Sequence, residues 1–157
     1  MFTCSITVDV QRPIGEVFDF VADARNRPRW DNSVDSEELT SPEPIGVGTT
    51  VRTKLRSMGR RYQYDWKVTR YQRPQRMTIE STSGPLPTTL EYHLVEREDG
   101  TEVRFTVTGQ PTGVMRLLQP LLARTTQRNL DRNFPRLQSL LNSGVAINGA
   151  EDTPSAG

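Results

Sequence analysis

The sequence predicts an α+β domain in which one antiparallel β-sheet curls around a long C-terminal helix, with an internal cavity between them. Three observations predict it. From Thr49 to Val107, run after run alternates apolar and polar residues with period two, the pattern of half-buried strands. Asp99-Gly100 then marks a tight hairpin between two such runs. After Gly109-Gln110-Pro111 the period changes to a helical one and holds to Leu141. A sheet with one apolar face needs a cover, and the C-terminal helix is the only large apolar one available. A sheet of about six strands twists and curls. Gripping a single helix, it cannot touch that helix everywhere, and the remainder is space.

The elements follow in order. Phe2, Cys4, Ile6, Val8 and Val10 share one side of a first strand. Arg12-Pro13 opens a helix, since proline is tolerated at the first helical position, and Ile14, Val17, Phe18 and Val21 give it a buried stripe. That helix frays near Ala24, and Arg27-Pro28 blocks its continuation; a short helical turn carrying Trp30 follows. Val34 to Thr40 is a weak strand and the segment from Ser41 to Gly48 a loop. Strands then run from Thr49 to Ser57, with Val51, Thr53 and Leu55 on one face, and from Arg60 to Tyr71, with Tyr62, Tyr64, Trp66 and Val68 on one face. Next come the strand of Met77, Ile79 and Ser81, that of Leu90, Tyr92 and Leu94, and that of Val103, Phe105 and Val107. The final helix, Gly113 to Leu141, begins its stripe with Val114, Leu117, Leu118, Leu121 and Leu122 and continues it with Leu130, Phe134, Leu137 and Leu141. Pro120 and Pro135 interrupt it, and a bend is expected at one of them. The domain is expected over residues 1–142, and the small, polar stretch 143–157 reads as a disordered tail.

Composition narrows the function. Twenty Lys and Arg meet nineteen Asp and Glu, a net charge of +1, and the charges interleave along the strands. That is not the basic excess through which a nucleic-acid binder neutralises phosphates. One cysteine, Cys4, allows no internal disulfide and no thiolate metal cluster. No signal peptide and no apolar run of membrane-spanning length is apparent, so the expected location is cytoplasmic, without stable membrane association. No cofactor motif stands out: Gly46-Val47-Gly48 enters a strand, whereas a dinucleotide loop follows a strand and opens a helix. His93, the only histidine, falls on the solvent face, with no partners for a triad or a zinc site.

Tyr62, Tyr64 and Trp66 are the most suggestive feature. Three large aromatics on one strand face supply stacking surface, and two hydroxyls and an indole N–H can orient a polar substituent. Each could equally be packed core. Met77 and Tyr92 on neighbouring strands favour a shared pocket wall, together with Val51, Leu55, Ile79 and Phe105 on the same sheet face. Met115, Leu118 and Leu122 could form the opposite wall from the helix. Trp30 reads as a hydrophobic plug beside the short helices. Arg52, Lys54, Arg56, Arg60 and Arg61 gather at one hairpin, where solvated charges that discourage edge pairing are the commoner explanation than a site for an acidic partner.

The chain resembles the polyketide cyclase/dehydrase group of the START-like (SRPBCC) superfamily, over about Phe2 to Leu141. The resemblance rests on Pro13-x-x-x-Val17-Phe18, Arg29-Trp30-Asp31, Gly46-Val47-Gly48-Thr49, Val68-Thr69-x-Tyr71-x-x-Pro74-x-Arg76, Asp99-Gly100-Thr101-Glu102-Val103 and the Leu-rich last helix. It implies the helix-grip fold. It carries over no fixed catalytic set, because that fold hosts cyclases, lipid carriers and receptors alike. The expected function is binding of a small hydrophobic molecule, aromatic or lipid-like, by a monomer or homodimer. The alternative is a cyclase or dehydratase in which Tyr62, Tyr64 or Tyr92 assists proton transfer.

Overall fold

A computed structural model describes residues 1–144. Seven strands form one antiparallel sheet: β1 (Phe2–Val10), β2 (Val34–Leu39), β3 (Thr50–Ser57), β4 (Arg60–Gln72), β5 (Arg76–Ser83), β6 (Thr88–Arg97) and β7 (Gly100–Gly109). Their order across the sheet is β1-β7-β6-β5-β4-β3-β2. Strands β2 to β7 form a meander of sequential neighbours. The first and second strands lie at opposite edges, so the segment joining them must cross the width of the sheet.

That crossing is made by α1 (Ile14–Ala22) and a short 3₁₀ helix (Ala24–Arg29). Pro13 caps α1, and Val17, Phe18, Phe20, Val21 and Ala22 are buried. The α-helix ends at Ala22, and Pro28 sits inside the 3₁₀ helix that follows, whose start is capped by Asp23 accepting from the Arg25 amide at 3.1 Å. Trp30 follows, 2% exposed and edge-on to Phe134 at 4.9 Å. Phe134 stacks on Phe105 at 5.0 Å, and Phe105 meets Tyr92 at 4.6 Å. This row of rings, running from the crossing segment through the last helix to β7 and β6, is the centre of the core.

A second 3₁₀ helix (Gly113–Leu118) precedes α2 (Gln119–Asn142). The expected single helix from Gly113 is thus two. Pro120 stands in the first turn of α2, where its missing N–H costs nothing. Pro135 lies inside α2, which continues through it. The change of helix type also corrects the apolar stripe. A 3₁₀ helix has about 3.0 residues per turn, so a spacing read at 3.6 loses its phase there. Val114 and Leu117 are 80% and 83% exposed, and Leu118 and Leu121 are nearly half exposed. Leu130, Phe134, Leu137 and Leu141 are buried as expected. Residues beyond 144, most of the predicted tail, lie outside the described residues.

The last helix is fastened to the first strand along its length. The Met1 amino group donates to Gln119 Oε1 at 2.9 Å, and Cys4 Sγ to the Ala123 carbonyl at 3.3 Å. Gln127 donates to the Ser5 carbonyl at 3.0 Å, Gln138 to the Asp9 carbonyl at 2.8 Å, and the Gln11 amide to Asn142 Oδ1 at 2.7 Å. On its other side, the ties among the described residues lie from Asn129 onward. Asn133 Oδ1 accepts from the Asn32 amide at 3.1 Å, Asn129 donates to Ser33 Oγ at 3.3 Å, and Arg136 donates to the Trp30 carbonyl at 3.2 Å. No helix among the described residues is long and apolar enough to cross a membrane.

Candidate functional site: a cavity under the last helix

Where α2 is untied, a cavity of about 910 Å³ opens between it, the second 3₁₀ helix and the concave face of β3 and β4. Its sheet wall includes Leu55, Tyr62, Tyr64 and Trp66, and its helix wall Met115, Leu118 and Leu122. Pro85 and Leu86 of the β5–β6 loop close one end, and Arg56, Met58 and Arg61 of the β3–β4 hairpin stand at its mouth. Tyr64 and Trp66 stack at 4.9 Å with planes 16° apart. Gly84, at φ 144°, makes that stack possible, because a Cβ there would lie 2.4 Å from the Tyr64 ring.

A second, smaller space of about 30 Å³ lies beside it, bounded among others by Val51, Ile79 and Tyr92. Arg27, Thr53, Trp66 and Leu90 line both spaces. Of the twelve wall residues expected from sequence, Met77 and Phe105 line neither. They are 2% and 0% exposed and packed into the core. Phe105 is covered by Phe134, and Met77 sits opposite Tyr92 across β5 and β6.

The smaller space is polar at one side, which sequence reading missed. Glu37 of β2 is opposite Thr53. Strict alternation from Val34 would have put Ser36 and Glu38 inward. A bulge between Val34 and Ser36 inserts one residue, and Glu37 and Leu39 turn inward instead. Trp66 Nε1 donates to Thr53 Oγ1 at 3.0 Å, and that hydroxyl donates onward to Glu37 Oε1. Arg27 Nε donates to Asp31 Oδ2 at 3.0 Å. Asp31, 2% exposed, also accepts from the Ser33 amide at 3.0 Å and the Ser33 hydroxyl at 2.6 Å. The signal present in the sequence was Arg27 and Asp31 at i, i+4 flanking Trp30.

Burial raises the Glu37 carboxyl to about 7, although the Arg27 charge and the Thr53 hydroxyl pull it down. Tyr92 is pushed up to about 12, again chiefly by burial. Burial also raises the Tyr64 hydroxyl, which lies beside Thr88 and the Leu86 carbonyl. The basic hairpin is partly neutralised: Arg52 pairs with Asp65 at 2.9 Å and Arg56 with Asp35 at 2.8 Å. His93, on β6 between Arg76 and Arg104, is lowered by burial and by those two charges.

The family described as polyketide cyclase / dehydrase and lipid transport matches residues 1–142. The chain belongs to this family. Its fold is shared with a Thermus thermophilus protein at a TM-score of 0.79 and 18% identity, over 92% of this chain and 100% of that one. The Zhui aromatase/cyclase from a Streptomyces species is similar at a TM-score of 0.77 and 13% identity, over 97% and 99% of the two chains. A START superfamily protein from Mycobacterium smegmatis is similar at 0.72 and 13%, over 90% and 97%. At such identities the likeness establishes the START-like, helix-grip fold and not a shared activity. No curated protein matches this sequence.

Proposed function

We propose that this member of the family reversibly binds one small, mostly apolar molecule under α2, as a carrier or sensor. The observation that carries the reading is the cavity itself. Its 910 Å³ falls in the range of roughly 300–1,000 Å³ common for small-molecule sites. Its walls combine aliphatic side chains with the Tyr64–Trp66 stack, which suits a flat or lipid-like body. The alternative, cyclase or dehydratase chemistry, has one feature in its favour: the Glu37 carboxyl lines the cavity region beside Thr53 and Trp66, and burial raises it to about 7, a value that suits a general acid or base. Tyr64 and Tyr92 are shifted the wrong way for that task. Mass spectrometry of organic extracts of the purified protein should find an apolar molecule near stoichiometric amount, and a naphthalene-type probe should bind saturably at one site. Absence of both would overturn the binding reading. Turnover of a bound molecule that Glu37→Gln abolishes without weakening affinity would favour the enzyme.

A further inference from the structure

The rim of the cavity carries an exposed apolar patch that its walls do not require. Val114 and Leu117 are 80% and 83% exposed, and neither lines the cavity. Both belong to the second 3₁₀ helix, where residues three apart eclipse, so the two side chains share one face. Leu121, in the first turn of α2, is 45% exposed. The β3–β4 hairpin, at the mouth of the same cavity, adds Met58, 51% exposed. Ser57 pairs with Arg60, so Met58 and Gly59 alone make the turn, at φ 51° and 77°. Such a turn favours asparagine or aspartate ahead of the glycine, and a methionine is held in the left-handed region at a cost. Its place at the tip therefore serves something other than the turn. Single exposed apolar residues are ordinary; a cluster of them around one opening marks an interaction surface.

The same two segments carry cations and no carboxylate. Leu55 to Gln63 holds Arg56, Arg60 and Arg61, and Gln110 to Leu130 holds Arg116, Arg124 and Arg128. All six are exposed, in a chain whose net charge is only +1. Among the described residues, Arg56 is the one of the six in an ion pair, with Asp35. Arg56 also stands directly opposite Arg61 across the hairpin, a like-charge pairing that an anion would relieve. Leu121, Arg124 and Arg128, at i, i+3 and i+7, share one face of α2, so the apolar patch runs into the cationic one.

The chemistry of the patch selects its occupant. A second copy of the chain would set arginine against arginine, which charge opposes. A protein partner is gripped by aromatic anchors in fitted pockets, whereas Val114, Leu117 and Met58 are flexible or small apolar side chains projecting from two separate elements. Projecting apolar side chains bordered by cations suit a lipid interface, where the apolar groups enter the acyl boundary and the cations meet headgroup phosphates. We infer that the 3₁₀ helix Gly113–Leu118 and the tip of the β3–β4 hairpin form a reversible docking surface for anionic bilayers, inserting Val114, Leu117 and Met58 while Arg60, Arg61, Arg116 and Arg124 hold lipid phosphates. Such docking is peripheral and needs no membrane-spanning helix. It goes beyond the binding reading above and holds whatever the cavity takes.

The test sediments the full chain with vesicles of phosphatidylcholine, alone or with about one third phosphatidylglycerol. Affinity for the anionic vesicles should exceed that for the neutral ones at least about tenfold and collapse in about 0.5 M salt. Val114→Ser with Leu117→Ser should weaken anionic-vesicle binding about tenfold or more, and so should Arg60→Gln with Arg61→Gln. The serine pair should leave binding of a naphthalene-type probe unchanged, since neither residue lines the cavity. Leu117→Trp gives a second readout on a folded chain: its emission should shift to the blue on anionic vesicles, and no shift overturns insertion. Equal binding to both vesicle types, or anionic binding that the serine pair leaves intact, overturns the docking surface. Absence of vesicle binding overturns it too; a concentration-dependent dimer that Leu117→Ser dissociates would then assign the patch to a second copy. Poly-L-glutamate bound as tightly as the anionic vesicles would assign it to an acidic protein instead. The cavity reading is judged separately, by the naphthalene-type probe.

Discussion

Two aromatic truncations, Trp66→Ala and Phe134→Ala, should affect stability and binding in opposite rank. Phe134 is 1% exposed and clasped between Trp30 and Phe105 at 4.9 and 5.0 Å. Its removal opens a new hole in packed core, which costs about 3–5 kcal/mol. Trp66 is 6% exposed but borders existing space on one side. Truncation there forfeits stacking on Tyr64, about 0.5–1.5 kcal/mol, and the indole hydrogen bond to Thr53, about 1 kcal/mol. The vacated volume merges with a cavity that solvent can enter, so the cavity penalty is small and the total is about 2–3 kcal/mol. For binding the order reverses. Trp66 supplies the flat surface over which an aromatic probe lies, and its loss should weaken affinity about tenfold, or about 1.4 kcal/mol. Phe134 touches no probe. Denaturant unfolding of each variant, with probe dialysis corrected for the folded fraction, measures both quantities on the same samples. A Trp66→Ala protein that loses as much stability as Phe134→Ala, yet binds probe unchanged per folded molecule, would refute the placement of the wall.

Two further perturbations test the surroundings. Gly84→Ala must strain a φ of 144° and push the Tyr64 ring away, so a loss of about 1–3 kcal/mol is expected, with a fall in near-ultraviolet circular dichroism from the broken Tyr64–Trp66 stack; an unchanged spectrum would contradict the close approach. Glu37 has its folded pKa raised to about 7 from 4.5, so the stability it permits is fully present below about pH 4.5 and is lost as pH rises through about 7. At 1.36 kcal/mol per pKa unit the loss would be about 3.4 kcal/mol; screening through the cavity reduces it to about 1–3. Glu37→Gln should therefore gain on the unaltered protein between pH 5 and pH 8 in urea unfolding, and a constant difference across that range would count against a buried acid.

The strands and their faces were legible because period-two alternation survives wherever one side of a sheet is buried, and β3, β4, β6 and β7 follow it almost residue by residue. Two kinds of local irregularity concealed the rest. The β2 bulge reversed the parity that would have revealed Glu37, and no residue type in Val34-Asp35-Ser36 announces a bulge. The 3₁₀ geometry of Gly113–Leu118 shifted the helical phase, so Val114 and Leu117, read as core, point outward. Parity also states which side a residue faces but not what it meets there. Tyr64 and Phe105 are both inward, yet one meets open space and the other meets Phe134. That difference depends on where α2 comes to rest, which is a three-dimensional outcome of its ties to β1 and to the turn at Asn32 and Ser33.

Those ties divide the molecule's labour. One half of α2, with the ring row from Trp30 to Tyr92, forms the foundation; the other half is a span held along its β1 side. Substitutions on the span and on the facing hairpin tip alter the opening without touching the foundation. The same architecture can therefore persist while the shape of its opening changes. A fold built this way can change at its doorway and stay put at its cornerstone.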